Sequence, residues 1–147
     1  MSLKDRIQQD VKDAMRAKDK ERLAAIRLIT AAIKQREVDE RIELDDEQVL
    51  LVLDKMCKQR RESISQFEKA GRDDLVAKEV SELEIIQGYL PRQLDNEEIA
   101  ALIDVALAET GASSIKDMGK VMGQLKPQLQ GRADMSAVSA MIKSRLA

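Results

Sequence analysis

The sequence predicts an all-α protein, with an N-terminal antiparallel four-helix bundle followed by a small three-helix C-terminal domain. Hydrophobic residues make up 44% of the 147 positions but aromatic residues only 1%. Leu, Met and Ala, which favour helices, therefore fill the apolar positions, and strands would lack their usual residues. The apolar residues recur at steps of three and four, the period of one helix face. No apolar run approaches the roughly 18 residues of a membrane span, so we expect no membrane partner.

The first two helices are expected from residue 3 to about residue 18 and from about residue 20 to a polar stretch at 37–43. The first apolar stripe comprises Leu3, Ile7, Val11, Ala14 and Met15. Asp19 precedes the second helix as a candidate N-cap, because its carboxylate can accept hydrogen bonds from the free amides of a first turn. The second stripe comprises Leu23, Ile26, Ile29, Thr30 and Ile33. Both helices are amphipathic and need a surface to pack against.

Helices three and four complete the first domain. Helix three begins at the acidic pair 45–46, where negative charge is favourable, and Gly71 stands where a left-handed residue closes a helix. Helix four begins at the acidic pair 73–74 and stops before Pro91, which has no amide hydrogen to donate. Four amphipathic helices with short connections can bury their stripes only against one another, which predicts a bundle over residues 1–90.

Residues 91–94 are expected to form a hinge, and residues 95–147 a second helical domain. Asp95 and Glu98 have the three-residue spacing of a reciprocal N-cap. The other residues that mark the ends of its helices are Gly111, Ser114, Pro127 and the run 131–134. Because apolar residues again recur at helical steps between these breaks, we expect three short helices.

The composition argues against an active site. The chain has no histidine, which removes the commonest general base and the commonest transition-metal ligand. Cys57, the only cysteine, lies on the apolar side of helix three, where a cysteine usually acts as a small hydrophobe. Ser113 and Ser114 before Lys116 are similar to the Ser and Lys of amidase chemistry, but paired serines before a helix are usually caps. We therefore predict no catalytic residue, no metal site and no cofactor.

Two arginines of the bundle are candidates for internal ion pairs. Arg27 and Arg60 lie near the apolar stripes of helices two and three. We expect them to pair with Glu79 or Glu82 inside the bundle. Such pairing would give both arginines a structural role.

Charge is unevenly distributed in the second domain. Residues 95–111 hold five acids and no base, whereas residues 112–147 hold six bases against two acids. The six bases are Lys116, Lys120, Lys126, Arg132, Lys143 and Arg145. Clustered, they would contact nucleic-acid phosphates; dispersed, they would form an ordinary solvated face. The glycines Gly119 and Gly123, one turn apart, and Gly131 would let another backbone approach closely, either a packed helix or a nucleic-acid strand.

Two runs of residues resemble known proteins. The middle run contains Arg61-Glu62-Ser63, Phe67, Gly71-Arg72, Asp74-Leu75 and Tyr89-Leu90-Pro91. The second run extends from Met118-Gly119-Lys120-Val121-Met122 to Gly131-Arg132-Ala133-Asp134. With these spacings the chain resembles the GatB/YqeY family along essentially its whole length. The second run is similar to the C-terminal domain of the B subunit of tRNA-dependent amidotransferase.

The resemblance implies contact with RNA. In the amidotransferase the related domain helps to hold tRNA, whereas kinase and glutaminase chemistry lies in other domains and another subunit. The chain is thus expected to be a tRNA-binding or tRNA-enzyme accessory module. The family's association with carbon–nitrogen ligase activity, using glutamine as amido donor, would belong to the multidomain relative. The alternative is a protein-interaction module that docks on an aminoacyl-tRNA enzyme, a tRNA-modifying enzyme or an amidotransferase subunit.

One residue departs from the family pattern. Met135 stands where the family usually has a glycine after the Ala-Asp pair. Either the turn there closes differently, or Asp134 caps the last helix earlier.

The sequence also suggests a cellular location. The run Met-Ser-Leu-Lys-Asp-Arg opens a charged helix rather than a signal peptide. A single cysteine gives no sign of an oxidising compartment. We therefore expect a cytoplasmic protein.

Overall fold

The computed structural model describes residues 1–147 and contains helices and turns but no strand, which confirms the all-α class. The helices are α1 (Leu3–Arg16), α2 (Lys20–Glu40), α3 (Asp46–Lys69), α4 (Asp73–Gln87), α5 (Asn96–Thr110), α6 (Met118–Leu129) and α7 (Met135–Leu146), with a 3₁₀ turn at Ile115–Asp117. The chain divides into two compact units, Met1–Leu90 and Pro91–Ala147, and each has its own apolar core. None of the helices is both long enough and apolar enough to span a membrane.

Most helices begin and end at the residues that the sequence indicated. The carboxylates of Asp19, Asp45 and Asp95 each accept a hydrogen bond from the amide three residues ahead, at 3.1, 2.9 and 2.8 Å. These bonds satisfy amides that have no partner within the helix. Gly71 and Gly111, at φ values of 69° and 66°, follow α3 and α5 in the left-handed conformation that favours glycine.

Two helices extend further than expected. The second helix, α2, continues into the polar stretch as far as Glu40, and Glu37 in its last turn contacts Lys4 of α1 at 2.6 Å and accepts the Leu44 amide at 2.9 Å. Pro127 lies inside the last turn of α6, which ends two residues later. Proline holds φ near the helical value, so it can stand near a helix end where only one backbone hydrogen bond is lost.

The core of the N-terminal unit joins all four of its helices. The largest fully buried side chains are Ile7 of α1, Ile26 and Ile29 of α2, Leu53 of α3 and Ile86 of α4. Burying a side chain of this size contributes about 2 kcal/mol. The apolar stripes therefore hold this unit together.

The expected ion pair of Arg60 is confirmed, whereas that of Arg27 is wrong. The Arg60 Nε atom lies 2.8 Å from Glu82 and 3.5 Å from Glu79, which joins α3 to α4. Arg27 is exposed and forms no ion pair, because it turns away from the buried stripe on which its neighbour Ile26 lies. Successive residues of a helix point about 100° apart, so the two cannot share a face.

A hydrogen bond from the single tyrosine links the end of the N-terminal unit to its first helix. The Tyr89 hydroxyl donates to Asp10 of α1 at 2.6 Å, and the Arg6 guanidinium lies 5.0 Å from the centre of the tyrosine ring. Burial of the ring, with a further contribution from Asp10, raises the pKa of Tyr89. The phenol is therefore a neutral donor that satisfies a partly buried carboxylate.

The C-terminal unit consists of α5, α6 and α7, closed by the loop between the last two. The Leu94 amide donates to the Arg132 carbonyl at 2.8 Å, and the Gln93 side chain donates to the Gly131 carbonyl at 2.7 Å. The segment expected to act as a hinge is thus hydrogen-bonded within the second unit. Asp134 caps α7 by accepting the Ser136 amide at 3.1 Å, which makes Met135 the first residue of that helix.

Candidate nucleic-acid interface

The outer face of α6 brings together two of the predicted basic residues and two of the predicted glycines. Val121, Leu125 and Leu129 are buried on the inner side of this helix. Gly119, Lys120, Gly123 and Lys126 follow one another at steps of one, three and three residues and are all exposed. At about 100° per residue, Gly123 lies near the middle of the outer face, with the two lysines on either side of it. We call these four residues the glycine–lysine face.

No part of the chain occupies the space above these glycines. A side-chain carbon at Gly119 or Gly123 would have no atom of the protein within 4 Å, apart from its own helix. No helix of this chain packs closely against the two glycines, so the approach of another backbone, from a helix or a nucleic-acid strand, stays a prediction. Glycine inside a helix costs about 1 kcal/mol relative to alanine. Two such residues on an open face reduce stability with no packing inside the chain to offset the loss.

The other four predicted basic residues differ in their availability. Lys116, in the 3₁₀ turn before α6, and Lys143, in the last turn of α7, are exposed and form no ion pair. Arg145 is ion-paired with Asp104 of α5. Arg132 is half-buried, and its Nε atom donates to the Arg92 carbonyl at 3.4 Å. Four lysines are thus available to a ligand, whereas both arginines already have partners.

Gly131 has a role within its own loop. It is buried and has a φ of 77°, a conformation that residues with a side chain rarely adopt. Its carbonyl accepts a hydrogen bond from Gln93 at 2.7 Å. Gly131 therefore shapes the turn before α7 and does not present its backbone to a ligand.

Asp117 fixes the start of the glycine–lysine face. Its carboxylate accepts hydrogen bonds from the amides of Ser113 and Ser114, at 3.0 and 3.3 Å. These bonds lower the pKa of Asp117, and the charge of Lys120 lowers it further. The two serines thus contribute to a capping arrangement, and their backbone atoms orient the 3₁₀ turn that carries Lys116.

The acidic helix α5 directs its charges to partners inside the unit. Glu98 forms two hydrogen bonds with Arg92, at 2.9 and 2.6 Å, and this pairing lowers the pKa of Glu98 to about 2. Glu109 accepts a hydrogen bond from Gln124 of α6. Together with the Asp104–Arg145 pair, these contacts give Glu98, Asp104 and Glu109 of α5 partners within the unit. None of the four exposed lysines of the unit forms an ion pair with an acid of α5.

The structure gives no support for a reactive cysteine or a metal site. Cys57 is fully buried, and burial raises the pKa of its thiol to about 11. The thiol therefore stays protonated at neutral pH, although the thiolate is the reactive form. No three Asp, Glu or Cys side chains lie close enough together to hold a metal ion.

The sequence analysis did not predict one group of charged side chains, which lies between α1 and α2. A depression of about 580 Å³ between α1 and α2 is lined by Lys4, Arg27, Lys34 and Glu37, among others. The seven-residue spacing of Arg27 and Lys34 was a signal, because it places both on one side of α2. Only the fold could show that Lys4 of α1 faces them.

The family expectation is confirmed by comparison with known proteins. Residues 4–146 match the family described as Yqey-like protein, so the match runs through both units. The chain belongs to this family. The relative named "Altered inheritance of mitochondria protein 41, mitochondrial" from Eremothecium gossypii is 38% identical over 145 residues, which cover 96% of this chain and 79% of the relative.

Two further relatives carry the same name. The protein from Kluyveromyces lactis is 33% identical over 147 residues, covering 95% of this chain and 79% of its own length. The protein from Pyrenophora tritici-repentis is 35% identical over 142 residues, covering 94% of this chain and 77% of its own length. Members of the YqeY-like family therefore share both units of this chain.

The names of these relatives contradict the expected cytoplasmic location, because they describe mitochondrial proteins. The expectation rested on a charged first helix and a single cysteine. A reduced cysteine and a charged amphipathic helix suit more than one compartment, so neither feature identified the cytoplasm. That prediction was wrong.

Proposed function

We propose that the C-terminal unit is an accessory module that contacts the phosphate backbone of RNA, with tRNA as the expected partner. The observation that carries the proposal is the glycine–lysine face. Gly119 and Gly123 leave room for a strand to approach the helix backbone, and Lys120 and Lys126 flank that space. Lysines that neutralise phosphates supply most of the affinity in such contacts.

Two further lysines of the unit are exposed and unpaired, and the proposal includes them in the RNA-contacting surface. Lys116 belongs to the turn that leads into α6, and Lys143 lies exposed at the end of α7. The C-terminal unit has no aromatic residue, so it offers nothing on which an exposed base could stack. RNA would therefore be recognised by shape and backbone contacts rather than by base sequence. The mitochondrial names of the relatives make mitochondrial tRNA part of the proposed substrate range.

The test is a titration of the full chain against labelled total tRNA and a duplex DNA control, between about 50 and 200 mM salt. The variant replaces Lys116, Lys120, Lys126 and Lys143 by alanine. The matched control replaces four exposed lysines of the N-terminal unit, Lys12, Lys20, Lys58 and Lys78, by alanine. Both variants lose the same charge, so a difference between them identifies the surface.

We expect tRNA to bind more tightly than duplex DNA, and the C-terminal variant to lose at least tenfold in affinity. The slope of log K against log salt should fall by about three, because each lost phosphate contact removes about 0.7 to 0.9. The N-terminal control should stay close to the unmodified protein. Equal losses in both variants, or no binding of tRNA by the unmodified protein, would contradict the proposal.

A protein-docking function is the second candidate, because two apolar side chains of the C-terminal unit are exposed. Val105 of α5 is 53% exposed, and Ile115 beside Lys116 is 50% exposed. Exposed apolar side chains of this kind can anchor a protein partner. If a tRNA enzyme binds the chain, changing Val105 and Ile115 to serine should weaken that complex, while the four-lysine variant should retain it. The reverse result would favour RNA contact.

A further inference from the structure

The depression between α1 and α2 in the N-terminal unit is unusually basic. Its charged lining residues are Lys4 from α1 and Arg27, Lys34 and Glu37 from α2. Three cations thus face one carboxylate in a volume of about 580 Å³. Ile7 and Ile33, which are 0% and 3% exposed, form its floor. The depression therefore has a rigid apolar base and a rim of positive charge.

The single carboxylate of this depression is fully engaged. Glu37 lies 2.6 Å from the Lys4 ammonium group and also accepts the Leu44 amide at 2.9 Å. The contact raises the pKa of Lys4 and lowers that of Glu37, so each holds the other in its charged form. Lys4 is paired with Glu37 and also lies 3.7 Å from Glu43, whereas Arg27 and Lys34 form no ion pair, although the charge of Lys34 contributes to the lowered pKa of Glu37.

Arg27 and Lys34 are positioned to act together. They are separated by seven residues of α2, or about 10.5 Å along the helix axis, and lie on the same side of the helix. Between them stand Thr30 and Ala31, whose short side chains leave the space above the helix open. The long side chains of Arg27 and Lys34 can therefore bring their charged ends toward one ligand lying over Ala31.

Two other arginines of this unit, Arg36 and Arg60, are ion-paired, unlike Arg27. Arg60 contacts Glu79 and Glu82, and Arg36 contacts Glu40. Arg27 forms no ion pair, although it lies on the same helix as Arg36. A guanidinium group binds a phosphate through two parallel hydrogen bonds, and an ammonium group supplies a compact charge beside it. This pair of groups suits an anion with phosphate oxygens.

We propose that the depression between α1 and α2 is a phosphate-binding site, in which Arg27 and Lys34 contact the phosphate groups of a polyanionic ligand. Gln8 of α1, which lines the opposite wall, has an amide group that can donate a further hydrogen bond. The ligand is either a free compound with adjacent phosphates or the backbone of RNA. This site lies in the N-terminal unit and does not depend on the glycine–lysine face.

The test measures binding of pyrophosphate, ATP and labelled tRNA to the full chain. The variant is the double change Arg27→Gln and Lys34→Gln. The matched control is Lys12→Gln with Arg16→Gln, which removes two exposed cations of α1 that do not line the depression. All four side chains are exposed, so both variants should unfold at nearly the same urea concentration as the unmodified protein.

We expect the variant with Arg27→Gln and Lys34→Gln to lose at least tenfold in affinity for the compound that binds, and the control variant to lose less than twofold. Loss of pyrophosphate or ATP binding would identify a free phosphate compound as the ligand, and loss confined to tRNA would identify the RNA backbone. The proposal is overturned if the unmodified protein binds none of the three, or if the two variants lose affinity equally. A free phosphate compound that binds the unmodified protein should bind the four-lysine variant of the C-terminal unit equally well, and if the ligand is RNA, the Arg27→Gln and Lys34→Gln changes should weaken tRNA binding further in that variant; either result separates this test from that of the proposed function.

Discussion

In the N-terminal unit, ion pairs join one helix to another, whereas the C-terminal unit leaves its lysines unpaired. Arg60 connects α3 to the two glutamates of α4, and Lys4 connects α1 to Glu37 of α2. The side chains in these contacts are only 12–21% exposed. In the C-terminal unit, Lys120 and Lys126 are exposed and form no ion pair. The cations with little exposure in the first unit stabilise helix packing, whereas these two exposed lysines of the second unit take no part in the packing of its helices.

The glycines that close turns differ from the two glycines inside α6. Gly71 has a φ of 69° and closes α3, where a residue with a side chain would be strained. Gly119 and Gly123 lie inside α6 with no positive φ and with open space where a side chain would stand. Alanine would be more favourable at both positions by about 1 kcal/mol. Gly71 is therefore required by the turn that it forms, whereas the fold of the chain requires glycine at neither Gly119 nor Gly123.

The largest expected effect comes from breaking the ion pairs of the N-terminal unit. Arg60→Met would leave Glu79 and Glu82 partly buried without their cation, and we expect a loss of about 2 kcal/mol. The control is Arg36→Met, since the Arg36–Glu40 pair is 32% and 47% exposed and should contribute less than about 0.5 kcal/mol. Urea unfolding of both variants measures the difference. Equal losses would show that the two pairs contribute alike and that burial does not distinguish them.

The helices and their caps could be predicted because short-range rules decide them. Asp19, Asp45 and Asp95 cap the helices that follow them, and Gly71 closes α3. Each of these roles depends on a few neighbouring residues, so local sequence carries the information. The pairing of Arg60 with Glu82 was also predictable, because both residues border apolar stripes.

Contacts between distant residues could not be predicted in the same way. Nothing in the local sequence shows that Arg145 pairs with Asp104, or that Lys4 faces Glu37 across 33 positions. Arg27 was misplaced because a residue beside an apolar stripe can turn toward the core or away from it. The sequence left open whether the six basic residues of the C-terminal unit are clustered or dispersed, and both their common surface and the RNA contact stay predictions.

A smaller effect, with opposite sign, is expected from the glycines of α6. The double change Gly119→Ala and Gly123→Ala should raise the free energy of unfolding by about 1 to 2 kcal/mol, because alanine favours helices and meets no atom there. The change Gly123→Gln should keep part of this gain but weaken tRNA binding, since its longer side chain fills the open space. Urea unfolding and tRNA titration of each variant check both statements. A stabilised variant with unchanged affinity would show that no ligand approaches the backbone at these glycines.

The smallest expected effect concerns the pH dependence of the C-terminal unit. Pairing with Arg92 lowers the pKa of Glu98 to about 2 from an ordinary value of 4.5. The folded protein therefore binds fewer protons than the unfolded chain between these values, and the stabilisation, present above about pH 4.5, is lost as the pH falls toward 2. Glu98→Gln should lower Tm near pH 6 and have little effect near pH 2, by a small amount because the pair is exposed. Thermal unfolding of both proteins from pH 6 to pH 2 measures this. Curves that stay parallel over the whole range would show that the pairing with Arg92 makes no contribution to stability.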